Sequence, residues 1–148
     1  MKAHFKAAAA ILAMAAFAPA AFAQNMAVSA TVTGTCKLTT VNALAFGTLD
    51  PILAPAASDT TTIDYRCTKG RSPASITIGG GASPYTAGSM SGPGGDTIPF
   101  SLTWGAPPAG TGMSADVSLT VTGDIAAGAY SDVTAGAYSA SVPVVFTP

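Results

Sequence analysis

The sequence predicts an all-β fold, a sandwich of seven short strands. Three observations carry that prediction. Apolar residues alternate with period two in several short segments, Gly, Pro and Asp punctuate those segments, and almost no stretch has helical spacing. Composition agrees. Of 148 residues, 16 are Gly and 11 are Pro, and only 9% are charged, against roughly 25% in an average soluble protein. Six Lys and Arg in the whole chain are too few to neutralise phosphates, which excludes a nucleic-acid binder.

The first segment is not part of the fold. Lys2 and Lys6 precede the apolar run Ala7–Phe17, and Ala21-Phe22-Ala23 closes it. A basic start, a short apolar stretch and an Ala-x-Ala end form an export signal, with cleavage expected between Ala23 and Gln24. A membrane span would need about 20 apolar residues without a break such as Pro19. Residues 1–23 are therefore the signal peptide, and no membrane span is expected. The only histidine, His4, leaves with it. The mature chain carries four basic residues and seven Asp, a net charge of −3.

The strands follow in order. Met26, Val28, Ala30 and Val32 share one side of Asn25–Thr33. Leu44 and Phe46 lead into Gly47, and Asp50-Pro51 ends that run. Ile63 and Tyr65 alternate into Cys67. Ile76 and Ile78 precede three glycines at 79–81. Ile98, Phe100 and Leu102 line one face of Thr97–Trp104, and Val117, Leu119 and Val121 one face of Asp116–Thr122. The last strand is Tyr138, Ala140, Val142, Val144 and Phe146. Between Ile78 and Thr97, Gly79–Asp96 reads as the longest surface loop.

Cys36 and Cys67 are the only cysteines. An even count in an exported chain reads as one disulfide. Closing a loop of about 30 residues stabilises by roughly 3.5–4 kcal/mol on the chain-entropy model. No CxxC and no mature histidine are present, so neither a redox motif nor a zinc site is expected.

Catalytic chemistry has few residues to work with. The mature chain has neither His nor Glu, which removes Ser-His-Asp and Cys-His arrangements. Asp50, Asp96, Asp124 and Asp132 adjoin Gly, Pro or Ser and read as turn formers. No metal, cofactor or reaction is expected. Trp104, before Gly105-Ala106-Pro107-Pro108, is expected at the core edge, with a ligand-stacking platform as the other reading. Lys37, Arg66, Lys69 and Arg71 all lie near the cysteines, so the disulfide would gather them into a positive pole that an acidic partner surface could meet.

From Phe46-Gly47-Thr48-Leu49-Asp50-Pro51 onward the chain resembles the spore coat protein U domain family, which includes subunits of archaic (Csu-type) chaperone-usher pili. The elements occur in order over nearly the whole mature chain. An alternating strand leads to Cys36, then come Phe-Gly-x-x-Asp-Pro and a strand into Cys67. The glycines at 79–81, Met90, Trp104-Gly105, Gly123-Asp124-Ile125 and Gly136-Ala137-Tyr138 follow, and an alternating strand ends at Phe146. The chain departs from the family pattern in having Ala140 where an Asp is usual and Ser89 where an Arg is usual. Pro143 also stands within the last strand.

The resemblance implies an incomplete immunoglobulin-like sandwich, completed by a donor strand from a neighbouring subunit or a periplasmic chaperone. It implies a structural pilus subunit, passed by the chaperone to an outer-membrane usher and polymerised with copies of itself or sibling subunits. Such a protein passes through the periplasm and ends in a surface fimbria that serves adhesion and biofilm formation. Strand donation of this kind is a form of β-augmentation. On this reading residues 24–34 are the donor extension, with Met26, Val28, Ala30 and Val32 entering a groove. Residues 35–148 are the domain, with Tyr138, Ala140, Val142, Val144 and Phe146 lining its acceptor groove. The sequence ends at Pro148, directly after that strand, so nothing is expected to cover its edge. The alternative is a ligand-binding tip or secreted coat-like protein, with Trp104 and the 79–96 loop as its contact surface.

Overall fold

Ile63, Tyr65 and Cys67 point to one side of their strand because side chains alternate across a β-strand, and all three are buried. Their strand is the hub of the molecule. The computed structural model describes residues 24–148, so the expected export signal lies outside the described residues. The chain divides into two units between Thr31 and Val32, and every strand among the described residues belongs to the second, Val32–Pro148.

That second unit is built from β1 (Cys36–Val41), β2 (Ala57–Cys67), β3 (Ser75–Ile78), β4 (Tyr85–Ser91), β5 (Thr97–Trp104), β6 (Val117–Ile125) and β7 (Val144–Thr147). A five-stranded antiparallel sheet has the order β1-β2-β6-β5-β4, and β3 pairs with β7 in a second sheet. The β2–β6 ladder runs without a break from Ala57↔Ile125 to Tyr65↔Val117. A bulge between Leu38 and Thr40 interrupts β1, which frees Thr39 to donate to Asp116.

The inward faces of the two sheets form one core. Ile63, Tyr65, Leu119, Val121, Ile98, Phe100 and Leu102 come from the large sheet, and Ile76 and Ile78 from the small one. The Tyr65 and Phe146 rings lie 5.8 Å apart across the gap, an ordinary aromatic contact. The outward face of the large sheet is polar. Thr60 stands opposite Thr122, Thr62 opposite Thr120 and Asp64 opposite Ser118. No polar residue is buried among the described residues. The two buried tyrosines bring their hydroxyls to backbone carbonyls: Tyr65 donates to Pro108 O at 2.6 Å and Tyr130 to Pro55 O at 2.6 Å. A sandwich of two β-sheets is therefore the fold, as the alternation predicts.

Five local expectations need correction. Asn25–Thr33 forms no strand, because its backbone pairs with none of the described residues. Leu44 and Phe46 are half-buried in a stretch without ladder bonds; they lie over Gly123, where a Cβ would overlap Leu44. Gly79–Asp96 is not one loop, since it contains β4, whose Gly88 sits beneath the Phe100 ring with no room for a Cβ. Only a 3₁₀ turn at Pro93–Gly95 links β4 to β5. Asp124 lies within β6, opposite Ser58 and Ser101, rather than in a turn. The last strand spans Val144–Thr147 alone. Pro143 has no N–H to continue a ladder, and its carbonyl instead accepts from Gly79 N at 2.9 Å.

Candidate functional site

β7 has β3 as its one strand neighbour among the described residues. Its pairing uses one edge, from Ser75↔Thr147 to Ile78↔Val144, which leaves its other edge without a strand. Beside that edge lies an apolar cleft of about 430 Å³. Ile63, Phe100, Leu102 and Val121 contribute its floor. One wall is the stretch Val41–Phe46 without Ala45, and the other runs from Tyr138 to Val142 and on to Val144. A second cleft of about 680 Å³ adjoins it, and Leu44, Phe46, Met90 and Tyr138 line both.

The expected groove residues come together here. Tyr138, Ala140, Val142 and Val144 line the cleft, and Phe146 packs beyond its end against Tyr65. Their alternation survives although only Val144 and Phe146 lie in a regular strand. Tyr138, Val142, Val144 and Phe146 are half-buried. The opposite wall was not legible as such, because Leu44 and Phe46 read as an ordinary strand.

The 131–142 wall has few ladder bonds, so side chains and single bridges hold it. Asp96 Oδ2 accepts from Thr134 N at 2.7 Å and from Thr134 Oγ1 at 2.6 Å. These two bonds hold the Asp96 carboxyl below its usual range. The Tyr138 hydroxyl donates to Thr134 O at 2.7 Å; desolvation first, and the Asp96 charge second, raise its pKa. Ser91 and Ser139 exchange two backbone bonds, 2.9 and 3.1 Å.

The expected donor residues lie outside any strand. Met26, Val28 and Val32 are 84%, 82% and 82% exposed, an unusual state for large apolar side chains in a row. Ala30 is likewise exposed.

At the far end of the sandwich Cys36 and Cys67 form a disulfide, as the count predicts. Their Cα atoms are 4.1 Å apart in directly opposed positions of β1 and β2. The loop beyond is pinned to this corner: Gly70 N donates to Gly110 O and Gly110 N to Arg71 O, both at 2.8 Å. Gly110 lies so close to Cys67 that a Cβ would overlap it. The expected positive pole is only partly free. Arg66 grips Asp116 with Nε at 2.8 Å and Nη2 at 3.0 Å, while Lys37, Lys69 and Arg71 remain exposed.

Trp104 is half-buried against the core, at the edge position expected for it, and its backbone N–H donates to Ser83 Oγ at 3.0 Å. Asp50 forms the expected turn, accepting from Ile52 N at 2.9 Å. No group of three or more metal-ligating side chains occurs among the described residues. No helix among them is long and apolar enough to cross a membrane.

A disulfide-linked sandwich with an apolar cleft beside an unpaired strand edge is a packing module: it offers apolar area and free backbone groups. The chain belongs to the Spore Coat Protein U domain family, whose model matches residues 22–145. That family consists of structural pilus and coat subunits, which makes the chain a surface protein of the fimbrial or spore-coat type. Comparisons with curated proteins and with solved structures return no match.

Proposed function

We propose that the chain is a structural subunit of a bacterial surface fibre that polymerises by strand exchange. The N-terminal segment 24–34 of one copy occupies the cleft of the next and pairs with the free edge of β7. On this reading the chain crosses the periplasm bound to a chaperone of the archaic type, which fills the cleft until an outer-membrane usher exchanges it. No reaction and no cofactor take part.

The observation that carries the reading is the cleft beside the unpaired edge of β7, with four of five expected residues on its wall. Length supports it too. A strand advances about 3.3 Å per residue, so Met26–Val32 and the wall Tyr138–Val144, six steps each, both extend to about 20 Å. Four alternating apolar side chains would then enter one apolar cleft, and backbone pairing would satisfy groups that otherwise invite aggregation.

The test is Val28→Asp in the mature chain. A carboxylate in an apolar cleft is strongly disfavoured, so this variant should remain able to accept a strand but fail to donate one, and fibres should disappear. Fibres at wild-type density would refute the donor assignment. The ligand-binding alternative draws no support from Trp104, whose ring packs against the core, nor from 79–96, which contains the seven-residue strand β4 paired to β5.

A further inference from the structure

Resting on the strand-exchange reading, the geometry points to Asp96 as a positioning residue that holds the cleft open for an incoming strand. The wall residues Tyr138–Val142 belong to a stretch with no strand of its own between Ile125 and Val144. Two backbone bonds to Ser91, the last residue of β4, hold it at Ser139, and ahead of that point it is held by the turn between β4 and β5. Asp96, the residue closing the turn, accepts both the backbone N–H and the hydroxyl of Thr134. Thr134 O in turn accepts from the Tyr138 hydroxyl.

The turn is shaped around this arrangement. Gly92 lies against the Tyr138 ring and Gly136 against Pro93, each with no space for a Cβ. Gly94, at φ +70°, brings the backbone to where a Cβ would stand 3.0 Å from Thr134 Oγ1. Beside the Ser91–Ser139 bridge, one carboxylate thus anchors the wall four residues before Tyr138, the point where the two clefts meet. Without the anchor, the apolar side chains of the wall gain contacts by folding onto the apolar floor, and an incoming strand must first displace them. A site that is competent only part of the time binds in proportion to that fraction, so the anchor acts on association.

The experiment uses the mature chain carrying Val28→Asp, which silences its own donor segment, and a fluorescent peptide of residues 24–34 as the probe. Anisotropy measures association and dissociation rates. Asp96→Ala and Thr134→Val should each slow association by about tenfold, the expected result if the wall is open a tenth of the time. Dissociation should be unchanged, and Thr134→Ser, which retains both donors, should match the reference. Unchanged association in Asp96→Ala and Thr134→Val would overturn the inference. So would faster dissociation alone, the signature of a contact that only stabilises the finished complex, or slow association in Thr134→Ser. If Asp96→Ala does not fold, Thr134→Val decides, because it removes a single hydroxyl. A reference chain that never binds the peptide would overturn strand exchange itself; one that binds while the variants bind equally fast overturns only the role of Asp96.

Discussion

At the scale of single residues, two carboxylates, Asp96 and Asp116, are held below the usual Asp range by their folded-state partners. Asp116 is held below its usual range by Arg66 first and Thr39 second, and Asp96 by the two Thr134 donors. Depressed folded-state values mean the unfolded chain binds the proton more readily. Each contribution to stability is therefore complete above the ordinary Asp value and is lost as pH falls through the lowered one. Thermal unfolding should be flat from neutrality to about pH 4 and fall only below it. Asp96→Asn combined with Asp116→Asn should flatten that acid limb, with Tyr138 as the other titratable group facing Asp96. A melting temperature that drops already between pH 7 and 5 would contradict this assignment.

Glycine supplies a second residue-scale prediction. Gly123 lies beneath Leu44 and Phe46, so Gly123→Ala forces Leu44 outward from the cleft wall. Overpacking of this kind costs about 1–3 kcal/mol, readable as a shift in the denaturant midpoint with unchanged slope. A midpoint equal to wild type would show that Leu44 yields freely.

At the scale of elements, legibility follows the contrast between the two faces of each strand. Thr97–Trp104 was legible to the residue, because Ile98, Phe100 and Leu102 are buried while Thr97, Pro99 and Thr103 are exposed. β4 was hidden for the opposite reason. Its inward positions are Tyr85, Gly88 and Met90 with a shifted register, and a glycine under an aromatic ring leaves no hydrophobic signal. The cleft was half legible. Tyr138–Phe146 alternates and marks one wall, but the tether from Asp96 to Thr134 joins positions 38 apart, and no local pattern encodes such a pair.

The disulfide was legible from cysteine count, and its energetic role belongs to this scale as well. It links the first residue of β1 to the last of β2. Cys36→Ser with Cys67→Ser should lower stability by about 2–5 kcal/mol. Reductant should shift the wild type by the same amount and leave the double variant unaffected. Equal melting temperatures with and without reductant would contradict a structural bond.

At the scale of the whole molecule, what matters is a sandwich with a strand edge left open and apolar residues available on a separate segment. If one fills the other, the two defects can be introduced separately. Val28→Asp disables donation, and Val142→Asp, on the cleft wall, disables acceptance. Neither variant alone should polymerise. Their mixture should stop at a one-to-one complex, because the only competent pairing joins a Val142→Asp donor to a Val28→Asp acceptor. Ladders from the mixture would mean that these residues do not carry the contact.

The central claim is that the fold is completed by a strand from outside its own domain. It is tested most directly by expressing the full chain in a periplasm and running the product, unboiled and boiled, on denaturing gels after size exclusion. Strand exchange predicts a ladder of oligomers that collapses to one band on boiling, or soluble chain only in a one-to-one complex with a co-expressed chaperone. A wild-type chain, donor segment intact, that stays monomeric without any partner would contradict it, and the cleft beside β7 would then have to be read as a binding site of a self-sufficient domain.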